Sequence, residues 1–218
     1  MPINRTLISF YIIFAVIMFT FLYAQAGDSS GQGMYSQMVS GFKKADNLSF
    51  DFKRIIASPF TGEVDTASGY AMIMGDDYSR IGIDDRIVTA REDTIYDYAA
   101  GHNQMQITLS DRSGGFKELF LRDYFEIYDA VDYKPIGADT YMFTLKSERP
   151  RNDRTNVSLI ANESPGVNFL LPRNLSYTDE LKRRITYEFG NIDFEPGLSE
   201  DSFRIDIPED CRVVDMTR

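Results

Sequence analysis

Residues 75–107 read "GDDYSRIGIDDRIVTAREDTIYDYAAGHNQMQI". Apolar and aromatic residues alternate with charged ones, the period of strands that lay one face on a core. Turn signals interrupt the stretch at Gly75-Asp76-Asp77, Asp84-Asp85, Glu92-Asp93 and Gly101-His102-Asn103. Strands are predicted over 78–83, 86–90, 94–98 and 104–109. They form an antiparallel meander, because links of hairpin length cannot make parallel crossovers.

The pattern extends in both directions. Upstream, "NLSFDFKRI" sends Leu48, Phe50 and Phe52 one way and Ser49, Asp51 and Lys53 the other. "YAMIMG" puts Tyr70, Met72 and Met74 on one strand face after the turn-rich "SPFTGEVDTASG". Before both, Met34, Met38 and Phe42 recur every four residues, with Tyr35 and Val39 beside them. That is the apolar stripe of a short helix ending near Lys43 and Lys44, cations suited to a helix C-terminus.

Downstream, "SDRSGG" closes the meander and 116–128, "FKELFLRDYFEIY", returns to helical spacing. Phe116, Leu119, Phe120, Tyr124 and Ile127 form its aromatic face. Further strands are predicted over 140–146, 156–161, 167–177 and 182–194, then "FRIDIP" and "CRVVDM". A sheet of this size must curl or close to protect its edges.

The first 26 residues differ from the rest. Arg5 precedes an apolar run over 6–23, and Ala24-Gln25-Ala26 gives the small-x-small pattern of a signal peptidase site. The run is also long enough to span a bilayer as a retained anchor, but the polar "GDSSGQG" after it favours cleavage near Ala26-Gly27. The expected organisation is a signal peptide over 1–26 and one domain over 27–218. Past residue 26 the chain carries 22 Lys and Arg against 33 Asp and Glu. This acidity argues against nucleic acid and against docking on anionic lipid, both of which call for basic patches. A single cysteine, Cys211, allows no internal disulfide.

Catalytic constellations are nearly absent from the sequence. The one histidine, His102, lies in a Gly-His-Asn turn. No G-x-S-x-G, phosphate-binding glycine loop or paired cysteine ligands occur. The doublets Asp76-Asp77 and Asp84-Asp85 could be drawn as an acid/base pair or as calcium ligands. Asp at hairpin turns is the simpler account, since its side chain bonds its own backbone there. The expectation is a protein with no cofactor, no metal and no enzymatic activity. What abounds is apolar surface: 16 Phe, 13 Tyr and 9 Met, with no Trp. Flexible Met and flat aromatic side chains line surfaces that accept varied apolar ligands.

The order of these elements resembles that of the periplasmic lipoprotein carrier LolA and its relatives, over most of the chain past residue 26. The first helix with "LSFDFKRI" is similar to the family's opening helix and strand. "GYAMIMGDDYSRIGI" resembles a block ending in an aromatic residue and an arginine, which places Arg80 at the family's functional arginine. "DRIVTAREDTIYDYAAGHNQMQI" is similar to the next block, with Tyr96 at its usual Trp, Tyr98 at the following aromatic and Gln104 near its Gln. The segment 175–216, ending "FRIDIPEDCRVVDM", resembles the family's close. Glu92-Asp93 replaces the family's Asp-Gly turn, the Trp is absent, and acidic residues replace a Pro. These departures mark a divergent branch.

The resemblance implies a mainly β (α+β) fold: an incomplete antiparallel β-barrel, with an N-terminal helix and a short helical lid over a hydrophobic concave face. It implies a cavity walled by Leu48, Phe50, Phe52, Tyr70, Met72, Met74, Tyr78, Tyr96 and Tyr98. Phe116, Leu119, Phe120 and Tyr124 would form the lid, and Arg80 its latch on backbone carbonyls. The implied role is a monomeric periplasmic chaperone. It would take acylated lipoproteins from an inner-membrane releasing transporter to an outer-membrane acceptor. Two other readings stand beside it: a lipid-, glycolipid- or envelope-stress-sensing protein of the same fold, and a secreted hydrolase using Asp84 or Asp85.

Overall fold

The computed structural model describes residues 31–109, 125, 127–147 and 154–217. The segment 1–26 and the side chains of Phe116, Leu119, Phe120 and Tyr124 lie outside that set. Helix α1 (Gly31–Lys44) leads into β1 (Asn47–Ala57), β2 (Val64–Met74), β3 (Tyr78–Ile83), β4 (Arg86–Arg91), β5 (Thr94–Ala99) and β6 (Gln104–Leu109). After the 110–128 connection come β7 (Asp129–Pro135), β8 (Thr140–Lys146), β9 (Thr155–Asn162), β10 (Leu171–Thr178), β11 (Arg184–Asp193) and β12 (Arg212–Asp215). The described strands form one open sheet in the order β12-β6-β5-β4-β3-β2-β1-β11-β10-β9-β8-β7. The expected incomplete barrel is present as this unclosed sheet with its N-terminal helix.

The hairpins follow from their turns. Asp84 and Glu92 have φ of 50° and 51°, a left-handed conformation that Asp and Asn tolerate better than most residues. Each opens a two-residue link whose twist matches that of the flanking strands. Strand β1 then joins the two halves of the chain. It pairs with β2 along its whole length and, on its other side, with β11.

Four expectations change. The pairing is not wholly antiparallel: β12 lies parallel to β6, Arg212 opposite Gln104. The link between them includes five other strands, so the hairpin limit does not apply to it. Strand β7 was not anticipated, because "DAVDYKP" alternates weakly and is mostly exposed. The strand predicted over 167–177 begins only at Leu171, because Val167 is tied into a turn with Ser164. "FRIDIP" is not a strand: Phe203 ends a 3-10 turn over Glu200–Phe203, and the following residues cross the sheet rather than pair with it.

The main core lies between α1 and one face of the sheet. Tyr35, Met38 and Phe42 of the helix are buried against Leu48, Phe50 and Phe52 of β1, Phe143 and Leu159 of the second half, and Phe125. Phe42 meets Phe125, Phe169 and Phe194 edge to face, with centroids 5.5, 6.2 and 5.2 Å away. Such pairs add roughly 0.5–1.5 kcal/mol each beyond the area they bury. The Tyr35 hydroxyl, pushed to a higher pKa by burial and then by Asp129, donates to the Tyr128 carbonyl at 2.8 Å. That bond ties the helix to the residue directly before β7.

Phe42→Ala should lower the unfolding free energy by about 3–5 kcal/mol, the range for emptying a fully buried ring site. Phe60→Ala, at a ring 79% exposed, should change it by less than about 0.5 kcal/mol. Urea titration of both variants tests the difference.

Candidate functional site

Directly opposed residues in a ladder point to the same face of the sheet. The pairing therefore assigns every predicted cavity residue to a side. Phe50 stands opposite Ala71, Ala71 opposite Ile81 and Ile81 opposite Val88. That row, with Leu48 and Phe52 one step to either side, faces α1. On the far side of β1 it continues into an aromatic wall. Phe50 meets Phe189 at 5.8 Å, Phe52 meets Tyr187 at 5.9 Å, and Tyr187 stacks on Phe189 at 6.4 Å.

The neighbouring row runs Ser49, Met72, Arg80, Thr89, Tyr96, Ile107. It faces the other way. Tyr70, Met72, Met74, Tyr78, Tyr96 and Tyr98 thus lie on the face away from α1 and do not share a wall with Leu48, Phe50 and Phe52. The one-sided cavity read from the sequence is corrected here. The physical reason is parity: each strand alternates correctly, but the register brings Phe50 level with Ala71 rather than with Tyr70 or Met72. Two glycines bear this out. The Phe52 ring fills the space over Gly69 on one face, and the Tyr70 ring fills that over Gly82 on the other.

The second face has its own cover. The 3-10 turn over Glu200–Phe203 delivers Phe203, fully buried, against the Tyr78 ring at 5.5 Å. Arg80 fastens this strap. Its Nε donates to the Tyr70 hydroxyl at 3.1 Å, and one terminal nitrogen donates to the carbonyls of Ser202 at 3.0 Å and Arg204 at 2.9 Å. Arg80 thus donates to two backbone carbonyls of the C-terminal strap, and the lid positions it was expected to latch lie outside the described residues. A cavity of about 270 Å³ lies beneath the strap, lined by Tyr96, Met105, Ile107 and Ile205.

On the helix side a cavity of about 550 Å³ opens between Met34 and Gln37 of α1 and the 163–170 loop. Another of about 360 Å³ lies between Tyr35, Val39 and Phe125, with Lys43 and Lys44 on its rim. The acidic doublets act as turns: Asp85 accepts the Gly101 amide at 3.1 Å, and its carbonyl accepts that of Ala100. His102 is exposed in the 3-10 turn over Ala100–His102. No group of three or more His, Cys, Asp or Glu able to hold a metal occurs among the described residues. Cys211, half-buried, precedes β12 in a turn closed by its amide on the Pro208 carbonyl.

Sequence reasoning passed over Arg54. The alternation that sends Leu48, Phe50 and Phe52 inward makes Arg54 the next inward residue. A charge at an apolar parity position was the available signal.

No family model matches the sequence, and neither does any curated protein. Solved structures do match. An uncharacterized conserved protein from Thermus thermophilus, 10% identical, superposes with a TM-score of 0.54 over 83% of this chain and 98% of its own. The two chains share a fold. Weaker likenesses, both with a TM-score of 0.45 and 12% identity, include two further proteins. One is a LolA superfamily protein from Nitrosomonas europaea, with 74% of this chain and 91% of that one covered. The other is a DUF1329 family protein from Desulfovibrio piger, with 78% and 94% covered.

Arg80→Met keeps the aliphatic stem but removes all three hydrogen bonds. Amides of the strap should then exchange with solvent faster than in the wild type, and stability should fall by about 1–3 kcal/mol. Exchange confined to wild-type rates over 200–207 would show that the strap holds without Arg80.

Proposed function

We propose that this chain is an exported, non-catalytic carrier of acyl chains. On this reading it binds lipoproteins through their acyl groups in the periplasm and moves them from an inner-membrane releasing transporter to an outer-membrane acceptor. The observation that supports it is the aromatic face of an unclosed sheet, covered by a helix. An acyl chain in water costs roughly 0.8 kcal/mol per methylene, so a carrier needs broad apolar contact. It must also let go. Contacts spread over Phe52, Tyr187 and Phe189 are individually weak and can be exchanged for helix side chains when the cargo leaves.

The architecture suits that exchange. Helix α1 rests on the sheet chiefly through side chains, while the backbone bonds of the sheet run strand to strand. Lifting the helix would expose the aromatic wall without breaking a ladder bond. The resemblance in motif order described above, the apolar segment over 6–23 and the small-x-small site at residues 24–26 support export and cleavage near residue 26. The acidic surface supports a role in which the protein itself stays off anionic membranes.

Purified wild-type protein should bind a diacylated lipopeptide, read by quenching of tyrosine fluorescence. Phe52→Ala and Phe189→Ala should weaken binding about tenfold each, the equivalent of about 1.4 kcal/mol. Met72→Gln, on the opposite face, should leave it unchanged. Failure to bind any acylated cargo would sink the reading, and equal loss from Met72→Gln would move the site to the strap-covered face.

A further inference from the structure

At one end of the aromatic wall the apolar surface gives way to charge. Arg54 stands opposite Tyr187 in the β1–β11 ladder, and Tyr187 opposite Leu175 in the next. Tyr177 follows Leu175 on the same face. All share the parity of Phe52 and Phe189, so the Arg54 side chain turns toward the face that α1 covers. Its Nε is buried and has no hydrogen-bond partner. A second guanidinium, that of Arg154, lies 4.7 Å from the centre of the Tyr177 ring. Burial pushes the Tyr177 hydroxyl up to about 12, Tyr187 adding to the rise and Arg154 opposing it. Burial also raises that of Tyr187, opposed first by Arg54 and then by Arg154. Two cations and two phenols therefore occupy one corner.

That corner gathers two guanidiniums in a chain that is acidic overall. The chain has ten more acidic than basic residues, and Asp179, which feeds into the field at Tyr177, is committed to Arg183 at 2.7 Å. A buried guanidinium nitrogen without an acceptor destabilises a fold, because its lost hydration is not replaced. Arginine also presents a planar fork of donors that matches a phosphate or carboxylate. The orphan donor, the second guanidinium and the phenolic hydroxyls make a receptor for anionic oxygen, contiguous with an aromatic wall that suits a hydrocarbon chain.

We propose that Arg54, Arg154, Tyr177 and Tyr187 form a headgroup subsite for an amphiphile bearing a phosphate, its acyl chain lying along Phe52 and Phe189. This rests on the acyl-carrier reading for the apolar wall and departs from it in the cargo, since the diacylglyceryl anchor of a lipoprotein bears no phosphate. The cargo is an anionic lipid or lipid-linked group rather than a neutral acylglycerol. The guanidiniums take the phosphate oxygens, and the Tyr187 hydroxyl, which accepts from Tyr177, donates to one that remains. Loading supplies the acceptor that Arg54 Nε lacks in the empty protein.

The test uses the mature chain and three probes: myristoyl lysophosphatidylglycerol below its micelle concentration, monomyristoylglycerol, and inorganic phosphate. Wild-type protein is expected to bind the anionic lipid at least about tenfold tighter than the neutral one, the size of one charge-assisted contact. Arg54→Gln and Arg154→Gln should each erase that preference while leaving the neutral lipid within about twofold of wild type. Arg54→Lys should keep part of it. Arg54→Gln should also raise the melting temperature of the empty protein, since it removes a buried N–H that has no acceptor. Equal wild-type affinity for both lipids overturns the proposal, as does equal loss of both in Arg54→Gln. If Arg54→Gln does not fold, Arg154→Gln decides alone. Inorganic phosphate binding as tightly as the anionic lipid assigns the corner to free phosphate and overturns it too. Binding of neither lipid overturns the subsite, and the carrier reading falls with it only if the diacylated lipopeptide also fails to bind; neutral binding without preference sinks only the headgroup subsite.

Discussion

Everything in this fold depends on the register of β1. With Phe50 level with Ala71 on one side and Phe52 level with Phe189 on the other, three aromatic or aliphatic side chains of one strand enter the core together. A slip of one residue would send Ser49, Asp51 and Lys53 there instead and expose the phenylalanines. The helix enforces the choice, because Tyr35, Met38 and Phe42 can bury only against the apolar parity. The same register fixes where the other half of the sheet begins, since β11 docks on β1 and carries β10 to β7 with it.

Parity also gives the molecule two chemistries on one sheet. The face under α1 is aromatic, and Arg54 and Arg154 stand at one end of it. The opposite face carries a strap that Arg80 holds through two carbonyls. Arg80 takes the carbonyls of Ser202 and Arg204 where the strap begins, and "FRIDIP", despite a strand's alternation, pairs with no strand among the described residues.

Much of this was legible in the sequence. The hairpins of β3 to β6 were, because acidic turns at Asp84-Asp85 and Glu92-Asp93 punctuate clean alternation. So was α1, whose four-residue stripe ends on two lysines. What sequence could not supply was which strand face meets which. Local alternation says that Tyr70 and Met72 agree with each other; only the β1–β2 pairing says they disagree with Phe50. Long-range events were equally hidden: the parallel docking of β12 on β6, and the crossing of the strap. Arg54 was visible but unread, a charge in an apolar series.

The β1–β11 contact has a temporal side as well. Asp51 is hydrogen-bonded to Asn191 at 2.7 Å, 140 positions later in the chain. Until that later segment has been made, β1 is a free edge with three aromatic or aliphatic side chains and no second neighbour. Topologies dominated by such distant pairings assemble slowly and expose sticky edges meanwhile. A nascent copy thus passes through a stage in which it presents the kind of surface that calls for a chaperone. Its own helix, made just before β1 and able to lie down on it at once, is the first thing available to shield that surface.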